Sequence, residues 1–259
     1  MHKDQPSNNV VWVWGLPLMP YTTNQALDRI DQLIDARKPS YFITANLHYA
    51  MVSERNELLH EANKRADFIL ADGMPLVWAS RILKQPLPER VAGSDLIWKM
   101  CERAAQKGRR VFLLGGAPGI AEEAARKLLE KYPGFIIAGT ECPPFRELSA
   151  NEEEEMFERI RASKPDLLLI AFGQPKGELW LARHFGKLLI PVSVQVGASL
   201  DFVAGKVRRA PRWMQRTGLE WAYRLAQEPR RLLGRYLRNT IFLVRMLLTR
   251  TRRSGRRTG

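Results

Sequence analysis

The sequence lacks several features that mark common protein classes. Its two cysteines, Cys101 and Cys142, are too few for a disulfide framework, and no Cys/His cluster has the spacing of a zinc site. The N-terminus, MHKDQPSNNVVWVWG, lacks the basic and then apolar order of a signal peptide. No window reaches the roughly 20 uncharged apolar residues that span a bilayer. These absences predict a protein that stays in the reducing cytoplasm where it is made.

Two fingerprints of nucleotide-binding sites are absent as well. The glycine-rich stretch GGAPG, residues 115–119, is neither G-x-G-x-x-G nor a P-loop, so it fits a phosphate-binding turn and a plain chain reversal equally well. No Asp-x-Asp triplet occurs, the carboxylate pair with which a nucleotide-sugar enzyme normally holds a metal on the diphosphate. We therefore expect no metal and no other cofactor, and a leaving group neutralised by cations and backbone amides. Arg90 and Lys176 are the candidate cations, with an ordinary surface residue as the alternative for each.

Acidic residues are scarce in the C-terminal fifth of the chain. Residues 206–259 contain fifteen arginines and one lysine but only two acidic residues, Glu220 and Glu228. Because the whole chain has a formal charge of +14, residues 1–205 are neutral overall. This asymmetry predicts a neutral catalytic domain, residues 1–205, and a basic appendage, residues 206–259, that seeks an anionic surface.

Short β-rich runs alternate with helical patterns through the first 200 residues. The predicted strands are 10–14, 41–46, 68–72, 110–116, 135–139, 166–173 and 191–197, and the predicted helices are 23–37, 48–64, 74–84, 94–107, 118–131, 150–163 and 175–188. Such alternation is typical of βαβ units, and the strand DLLLIAF is apolar on both faces. The prediction is an α/β fold with a mostly parallel sheet and helices on both faces. Thr22 or Thr23, Ser94-Asp95, and Ser149 with Glu152 are the predicted helix caps.

Polar or glycine-rich residues stand at the carboxyl end of five predicted strands. They are Thr44-Ala45-Asn46, Asp72-Gly73, the stretch with Gly115, Gly116 and Pro118, Gly173-Gln174-Pro175-Lys176, and Gly197-Ala198-Ser199. In an open α/β sheet, ligands bind just outside the carboxyl ends of the strands. Five such ends together predict a binding cleft along one edge of the sheet.

Asp72 separates two apolar segments, FILA before it and MPLVWA after Gly73. One interpretation is a plain turn, since Asp-Gly is a common turn dipeptide. The other is a general base at a strand end, which takes a proton from an attacking hydroxyl. A flanking apolar wall would raise the pKa of this carboxyl toward a useful range.

The segment after Pro229 has the spacing of an amphipathic helix. At about 100° per residue its arginines occupy one arc and most apolar residues the opposite arc, with Phe242 as an exception on the basic side. The arginines are Arg231, Arg235, Arg238 and Arg245, and the opposite residues are Leu233, Tyr236, Leu237, Thr240, Val244, Leu247 and Leu248. Trp213, Trp221 and Tyr223 lie among further arginines just before this segment.

Arginines and aromatic residues on an amphipathic helix are typical of a segment in a membrane interface, where each basic residue near anionic lipid contributes roughly 1 kcal/mol. The favoured partner is therefore an anionic membrane surface. Two alternatives stay open. The apolar face could dock on the body as core, with or without lipid, or the arginines could bind nucleic acid as the tail of a Rossmann-fold protein.

Six segments in order make the chain resemble a known family. They are TANLHYAMV, ADGMPLVWASR, PERVAGSDL, FLLGGAPGIAEEAARKLLEKYPG, FGQPKGELW and LDFVAGKVRRAPRWMQRTGLEWAYRLAQEPRR, within residues 10–245. Together they resemble the WecG/TagA/CpsF family of bacterial glycosyltransferases, glycosyltransferase family 26. The resemblance implies a Rossmann-like fold distinct from the two common glycosyltransferase folds.

The resemblance also implies a reaction. A sugar, N-acetylmannosamine-type or a related hexose, would move from a UDP donor to a saccharide on an undecaprenyl-diphosphate lipid. This would occur at the inner face of the cell membrane, in the synthesis of cell-surface polysaccharide. The anomeric centre would be inverted without a metal, in agreement with the missing Asp-x-Asp. Nucleic acid is then not an expected partner, and the oligomeric state is open, a homo-oligomer included.

Roles for individual residues follow by position. Asp72 matches the family's proposed base, Thr44 and Asn46 its active-site Thr and Asn, and Arg90 its motif arginine. The remaining candidate substrate-binding residues are Gly73, Gly115, Gly116, Pro118, Gln174, Lys176, Glu178 and Asp201. Arg224 and Arg231 match appendage arginines that close the site and touch the membrane, and Trp213, Trp221, Arg235 and Arg238 complete the appendage set.

Two positions depart from the family pattern. The family usually has Pro-Lys/Arg-Gln-Glu where this chain has Pro175-Lys176-Gly177-Glu178, so Gly177 replaces the expected Gln. Gln174 is a candidate substitute for it. A basic position of the family near the C-terminus is Gly234 here. Both departures bear on the contacts with the donor.

Overall fold

The computed structural model of the protein describes residues 10–254, except for the side chains of residues 212, 216, 231, 247 and 249–254. Its strands are β1 (Val11–Val13), β2 (Leu16–Leu18), β3 (Ser40–Ala45), β4 (Ile69–Ala71), β5 (Arg110–Gly115), β6 (Ile136–Glu141), β7 (Leu167–Ala171) and β8 (Val192–Gln195). Its helices are α1 (Thr23–Ala36), α2 (Leu47–Ser53), α3 (Glu57–Arg65), α4 (Met74–Ile82), α5 (Gly93–Gln106), α6 (Ile120–Lys131), α7 (Ala150–Ala162), α8 (Lys176–Leu188), α9 (Ser199–Val203), α10 (Arg212–Arg216), α11 (Glu220–Gln227) and α12 (Pro229–Ser254).

Six strands form one sheet in the order β4-β3-β8-β7-β5-β6, and every neighbouring pair is parallel. The carboxyl ends of all six strands therefore meet at one edge, here called the sheet rim. The predicted parallel sheet is confirmed, and the predicted strand ends fall on this rim.

Both faces of the sheet are apolar. Successive side chains of a strand point to opposite sides, and these strands have apolar residues at successive positions. Leu167 and Leu169 of β7 pack with α1, α5, α6 and α9 on one face. Leu168 and Ile170 pack with α2, α3, α4, α7 and α8 on the other face. The prediction of helices on both faces is confirmed.

Two of the predicted elements, the strand at 10–14 and the helix at 48–64, are partly wrong. The strand predicted at 10–14 does not join the main sheet but pairs antiparallel with β2 as a separate hairpin. Trp14 and Gly15 turn the chain there, at φ values of 49° and 81°. The helix predicted at 48–64 is two helices, α2 and α3. Asn56 starts the second one by accepting a hydrogen bond from the Leu59 N–H (3.1 Å), a local bond that competes with a continuous helix.

Two of the three predicted caps are confirmed. Thr22 and Ser149 each form a capping box, with Gln25 and Glu152 respectively. The cap predicted at Ser94-Asp95 is wrong, because α5 begins earlier, at Gly93, without a side-chain cap.

The C-terminal segment is helical and docks on the body along one face of α12. Phe242, the exception in the sequence pattern, is 3% exposed and stacks edge-on against Trp14 of the hairpin at 5.6 Å. Asn239 contacts His48 Nδ1 at 3.2 Å, and Arg245 forms an ion pair with Glu54. The docking interpretation therefore holds for this face.

The face of α12 turned away from the body exposes apolar side chains. Leu233, Leu237, Ile241 and Val244 are between 49% and 68% exposed, and they are here called the apolar stripe. In the described part of the chain, no helix has both the length and the apolarity needed to cross a membrane. The sequence also predicts a disordered end to the appendage. Residues 255–259 of that end, and the side chain of Arg231, lie outside what the structure describes.

Candidate active site

Asp72 lies on the sheet rim, directly after β4. Its backbone N–H donates to the carbonyl oxygen of Ala45 (2.7 Å), which ties the carboxyl-bearing residue to the end of β3. Thr44, at the same end of β3, is 6% exposed. A Cβ built on Gly93 would lie 3.4 Å from Asp72 Oδ2 and 3.4 Å from Thr44 Oγ1. The structure thus brings together two of the predicted catalytic side chains around the first residue of α5.

The surroundings of Asp72 favour its protonated form. Burial raises the pKa of Asp72 to about 7, and the negative charges of Glu220 and Asp95 act in the same direction. The Arg90 guanidinium and the Gly93 N–H oppose this rise but do not cancel it. A carboxyl group with this pKa can accept a proton near neutral pH, as a general base must.

Arg90 belongs to an ion-pair network that joins the body to the C-terminal helices. Its guanidinium lies 3.2 Å from Glu220 of α11 and 3.8 Å from Asp95 of α5. Arg209 forms two hydrogen bonds with Asp95, at 2.5 and 2.8 Å, and its Nε lies 3.6 Å from Glu220. Two positive and two negative groups therefore close over the Asp72 side of the sheet rim.

Asn46 and Gln174 connect β3 to the loop after β7. Asn46 caps α2 through its Oδ1, which accepts from the Tyr49 N–H at 3.1 Å. Its Nδ2 donates to Gln174 Oε1 at 2.7 Å, and Gln174 Nε2 donates to the Thr44 carbonyl oxygen at 3.1 Å. Both amides are engaged with protein groups, so in this structure they shape the floor of the site.

The other candidates near α8 are divided between surface and interior. Lys176 is exposed at the start of α8, whereas Glu178 is 1% exposed beneath it. Burial raises the pKa of Glu178 to about 7, against the lowering effect of Gln174 and Arg235. A substrate on the rim would therefore interact with Glu178 only through the residues that cover it.

Gly177, the departure from the family pattern, has a physical reason. A Cβ at this position would lie 2.4 Å from Cδ and 2.5 Å from Nε2 of Gln195, which is itself 3% exposed at the end of β8. Gln195 Oε1 accepts a hydrogen bond from the Phe172 N–H (3.3 Å). An amide from the neighbouring strand thus fills the space that a side chain at position 177 would need.

The glycine-rich turn lies at the end of β5. Gly115 and Gly116 have φ values of 93° and 86°, which favour glycine, and a Cβ on Gly115 would lie 2.7 Å from the Phe172 ring. The Gly116 N–H donates to the Ala171 carbonyl oxygen at 3.1 Å, so this amide is already paired. Close packing accounts for both glycines, against Phe172 after β7 at Gly115 and against Ile120 of α6 (3.1 Å) at Gly116. Pro118 lies in the same turn, Gly73 is the N-cap of α4, and Asp201 is half-buried in α9.

The predicted appendage residues are spread over two surfaces. Trp213 and Trp221 are 60% and 49% exposed, and Arg238 is also exposed. Arg224 is half-buried with its guanidinium 5.6 Å from the centre of the Phe202 ring. Arg235 is half-buried. Burial lowers the pKa of His48 to about 4, and the positive charge of Arg235 acts in the same direction.

Several residues at the site were not predicted from the sequence. Gly93 and Ser199 border Asp72, Gln195 fills the space above Gly177, and Asp95, Arg209 and Glu220 surround Arg90. The position of Ser199 at a predicted strand end was visible, but its nearness to Asp72 depends on the strand order. Among the residues described, no group of three or more His, Cys, Asp and Glu side chains could hold a metal ion.

Comparison with known proteins decides the family. A family model described as "Glycosyl transferase WecG/TagA/CpsF family" matches residues 11–256, nearly the whole chain. The chain belongs to the WecG/TagA/CpsF family of glycosyl transferases. The resemblance inferred from the six sequence segments is thereby confirmed, and so is the prediction that the protein is a glycosyltransferase.

Curated members of the WecG/TagA/CpsF family cover most of the chain. A protein of Bacillus spizizenii is 33% identical over 198 residues, which are 76% of this chain and 75% of the relative. Relatives in Bacillus subtilis (30% identical, 82% of each chain) and Staphylococcus aureus strain MW2 (32% identical, 80% of this chain and 79% of the relative) are similar. All three are named N-acetylglucosaminyldiphosphoundecaprenol N-acetyl-beta-D-mannosaminyltransferase.

Proposed function

We propose that the protein transfers a sugar from a UDP-sugar to a saccharide linked to a polyprenyl diphosphate, with inversion at the anomeric carbon and without a metal. The observation that carries this proposal is Asp72, a carboxyl group on the rim of a WecG/TagA/CpsF family sheet with a pKa raised to about 7 beside Arg90. The names of the relatives support an N-acetylmannosamine-type donor sugar and an undecaprenyl-diphosphate acceptor.

The proposed chemistry is a single displacement. The acceptor hydroxyl gives its proton to the Asp72 carboxylate while its oxygen attacks the anomeric carbon. The bond from that carbon to the diphosphate oxygen breaks, and UDP leaves with the electron pair. Arg90 neutralises the charge that develops on the leaving diphosphate. Attack opposite the leaving group inverts the anomeric centre.

The order of the strands restricts how the donor can lie. Four strand positions separate β5, which ends at Gly115, from β4, which precedes Asp72. At about 4.8 Å per position this is roughly 19 Å, more than a diphosphate alone can cover. The Gly116 amide is also already paired. We therefore assign the glycine-rich turn to the nucleoside end of the donor, rather than to the diphosphate, and the β3–β4 end to the sugar.

The C-terminal helices are proposed to bring this site to the acceptor. The apolar stripe of α12, together with the exposed rings of Trp213 and Trp221, offers apolar surface next to a strongly basic segment. Such a surface suits the headgroup region of an anionic bilayer. The proposed location is peripheral, on the cytoplasmic face of the membrane, with residues 1–205 as catalytic domain and 206–259 as appendage.

A donor screen tests the proposal. Purified protein is incubated with UDP-N-acetylmannosamine, UDP-N-acetylglucosamine or UDP-glucose and a short-chain polyprenyl diphosphate carrying N-acetylglucosamine, and UDP release and product stereochemistry are measured. We expect UDP release that depends on the acceptor, persists in EDTA and gives an inverted product. Absence of UDP release with every donor and acceptor would contradict the proposal. Salt-sensitive RNA binding without vesicle binding would instead favour the nucleic-acid alternative.

A further inference from the structure

Three side-chain oxygen atoms lie around Gly93, and the space that they border is here called the recess. Two of its residues, Gly93 and Ser199, have no assigned role. A Cβ built on Gly93 would lie 3.4 Å from Asp72 Oδ2, 3.4 Å from Thr44 Oγ1 and 3.9 Å from Ser199 Oγ. These oxygen atoms come from three different places in the chain: the ends of β4 and β3 and the turn after β8. They lie around Gly93 of α5, which has no side chain that would keep them apart.

The two hydroxyl groups are available to a ligand. Thr44 and Ser199 are each 6% exposed, so both belong to the wall of the recess rather than to the outer surface. Between residues 10 and 254, neither Thr44 Oγ1 nor Ser199 Oγ makes a hydrogen bond to another described residue. Ser193 Oγ is closed off inside the protein, whereas neither of these two oxygen atoms is a fully buried atom without a partner, so both can bond a ligand that reaches them.

The strand order places Ser199 along the path of the donor. Strand β8 lies between β3 and β7 in the sheet, so it separates the Asp72 end of the rim from the glycine-rich turn. Leu200, the residue after Ser199, reaches that turn: its Cδ2 would lie 3.8 Å from a Cβ on Gly116. A donor with its nucleoside end near Gly116 and its anomeric carbon near Asp72 must therefore pass Ser199.

We propose that Ser199 and Gly93 form a sugar-recognition subsite, in which the Ser199 hydroxyl bonds a hydroxyl or amide group of the donor sugar and Gly93 leaves room for it. This inference rests on the proposed function, because it assumes a UDP-sugar at Asp72. The ligand class is an uncharged polar sugar, since the recess offers two hydroxyl groups that donate or accept and one carboxyl group. Ser199 would then help to decide which sugar is accepted.

The two variants that test the subsite act in different ways. Ser199→Ala removes one uncharged hydrogen bond, which should weaken binding of the sugar roughly 3- to 10-fold. Gly93→Ala places a methyl group at ordinary contact distance from Asp72 and Thr44, filling the recess without a clash. Because alanine favours a helix more than glycine does, Gly93→Ala should keep or raise the melting temperature while it weakens sugar binding. If Gly93 had only a structural role, the variant would lower both the melting temperature and the affinity for the sugar.

Ser193 of β8, the strand before Ser199, offers a matched control. It is 0% exposed and its hydroxyl is buried without a partner among the described residues, on the other side of β8 from the recess. Ser193→Ala therefore removes a serine hydroxyl from β8 without touching the proposed subsite. Its affinity for both UDP and UDP-sugar should equal that of the wild type.

Calorimetric titration of the full chain with UDP and with UDP-N-acetylmannosamine separates the outcomes. We expect Ser199→Ala and Gly93→Ala to weaken the UDP-sugar but to leave UDP within about twofold of the wild type, since UDP lacks the sugar. If both variants bind the UDP-sugar as tightly as the wild type, the subsite is wrong while the proposed function stands. If they weaken UDP and UDP-sugar equally, the sugar assignment is also wrong. If the wild type binds neither ligand, the proposed function fails and the subsite with it.

Discussion

The sheet rim and the C-terminal helices are held in place by different means. The rim is fixed by the hydrogen bonds between the parallel strands. The Asp72 N–H donates to the Ala45 carbonyl oxygen at 2.7 Å, so the backbone sets the position of the carboxyl group. Helix α12 is held by separate anchors, among them Phe242 on Trp14, Asn239 on His48 and Arg245 on Glu54. Chemistry that needs fixed geometry thus lies on the sheet, and surface contact lies on the docked helices.

The two regions also differ in charge. Where they meet, however, an acidic residue of the basic segment faces a basic residue of the body. The C-terminal segment has sixteen basic residues and two acidic ones, yet one of the acidic residues, Glu220, faces Arg90 of the body. Glu220 raises the pKa of Asp72, whereas Arg90 lowers it. The basic segment therefore supplies a negative charge to the site, and we expect the docking of α11 to be coupled to the protonation of Asp72.

The largest expected effect isolates the rim. Asp72→Asn removes the proposed base without changing the size of the side chain, and turnover should fall by about 10²–10⁴-fold. Vesicle binding should stay at the wild-type level, because the variant leaves the C-terminal helices unchanged. Steady-state kinetics and vesicle flotation of the same preparation measure both quantities. Wild-type turnover in Asp72→Asn would show that the base lies elsewhere.

The same variant should change stability in a pH-dependent way. The folded-state pKa of Asp72, about 7, lies above the ordinary value of 3.8, so its stabilising contribution is complete below pH 4 and is lost as the pH rises through 7. Asn carries no charge at any pH. Relative to the wild type, Asp72→Asn should therefore gain about 4 kcal/mol in the free energy of unfolding between pH 4 and pH 8, which corresponds to roughly 10 °C in melting temperature. A melting-temperature difference that does not vary with pH would refute the raised pKa.

The next effect isolates the C-terminal helices. Replacing Leu237 and Ile241 of the apolar stripe by Ser removes exposed apolar groups without changing the charge. Binding to vesicles that contain anionic lipid should weaken at least ~10-fold, since each buried aliphatic side chain contributes about 1.5–3 kcal/mol. Phe145→Ser is the control, because Phe145 is 80% exposed in a loop of the body. Equal vesicle binding by the double variant and the control would show that the apolar stripe does not contact the membrane.

The smallest effect concerns the junction of the two regions. Glu220→Gln removes a negative charge that raises the pKa of Asp72, so the pKa should fall. Because the base is active when ionised, the acidic limb of the pH profile of kcat/KM should shift to lower pH. Glu228→Gln is the matched control, the other acidic residue of the segment. An unchanged acidic limb in Glu220→Gln would show that α11 is not electrostatically coupled to Asp72.

The sequence was most informative where local rules decide the structure. Short β-rich apolar runs placed seven of the eight described strands close to their observed positions, and the helix caps at Thr22 and Ser149 follow from local sequence. The hairpin was missed because a strand pattern does not say which partner it pairs with. The break at Asn56 was missed because a single cap inside an amphipathic pattern is a weak signal.

The site was predictable in its parts and not in its arrangement. Strand ends could be read one by one, so Asp72, Thr44 and Asn46 were correctly placed at the ends of their strands. The neighbours of Asp72 depend on a sheet order that places β8 beside β3, and no local pattern gives that order. The contact of Glu220 with Arg90 spans 130 residues, and the filling of the space at Gly177 by Gln195 depends on packing between β8 and α8. Such long-range contacts could not be derived from spacing.

One measurement tests the division of labour most directly: turnover on a water-soluble short-chain acceptor compared with turnover on a long-chain acceptor embedded in anionic vesicles. The stripe variant, Leu237→Ser with Ile241→Ser, should keep wild-type turnover on the soluble acceptor and lose at least ~10-fold on the vesicle acceptor. Asp72→Asn should lose turnover on both alike. If the stripe variant loses as much on the soluble acceptor as on the vesicle, the C-terminal helices belong to the catalytic machinery and the separation proposed here is wrong.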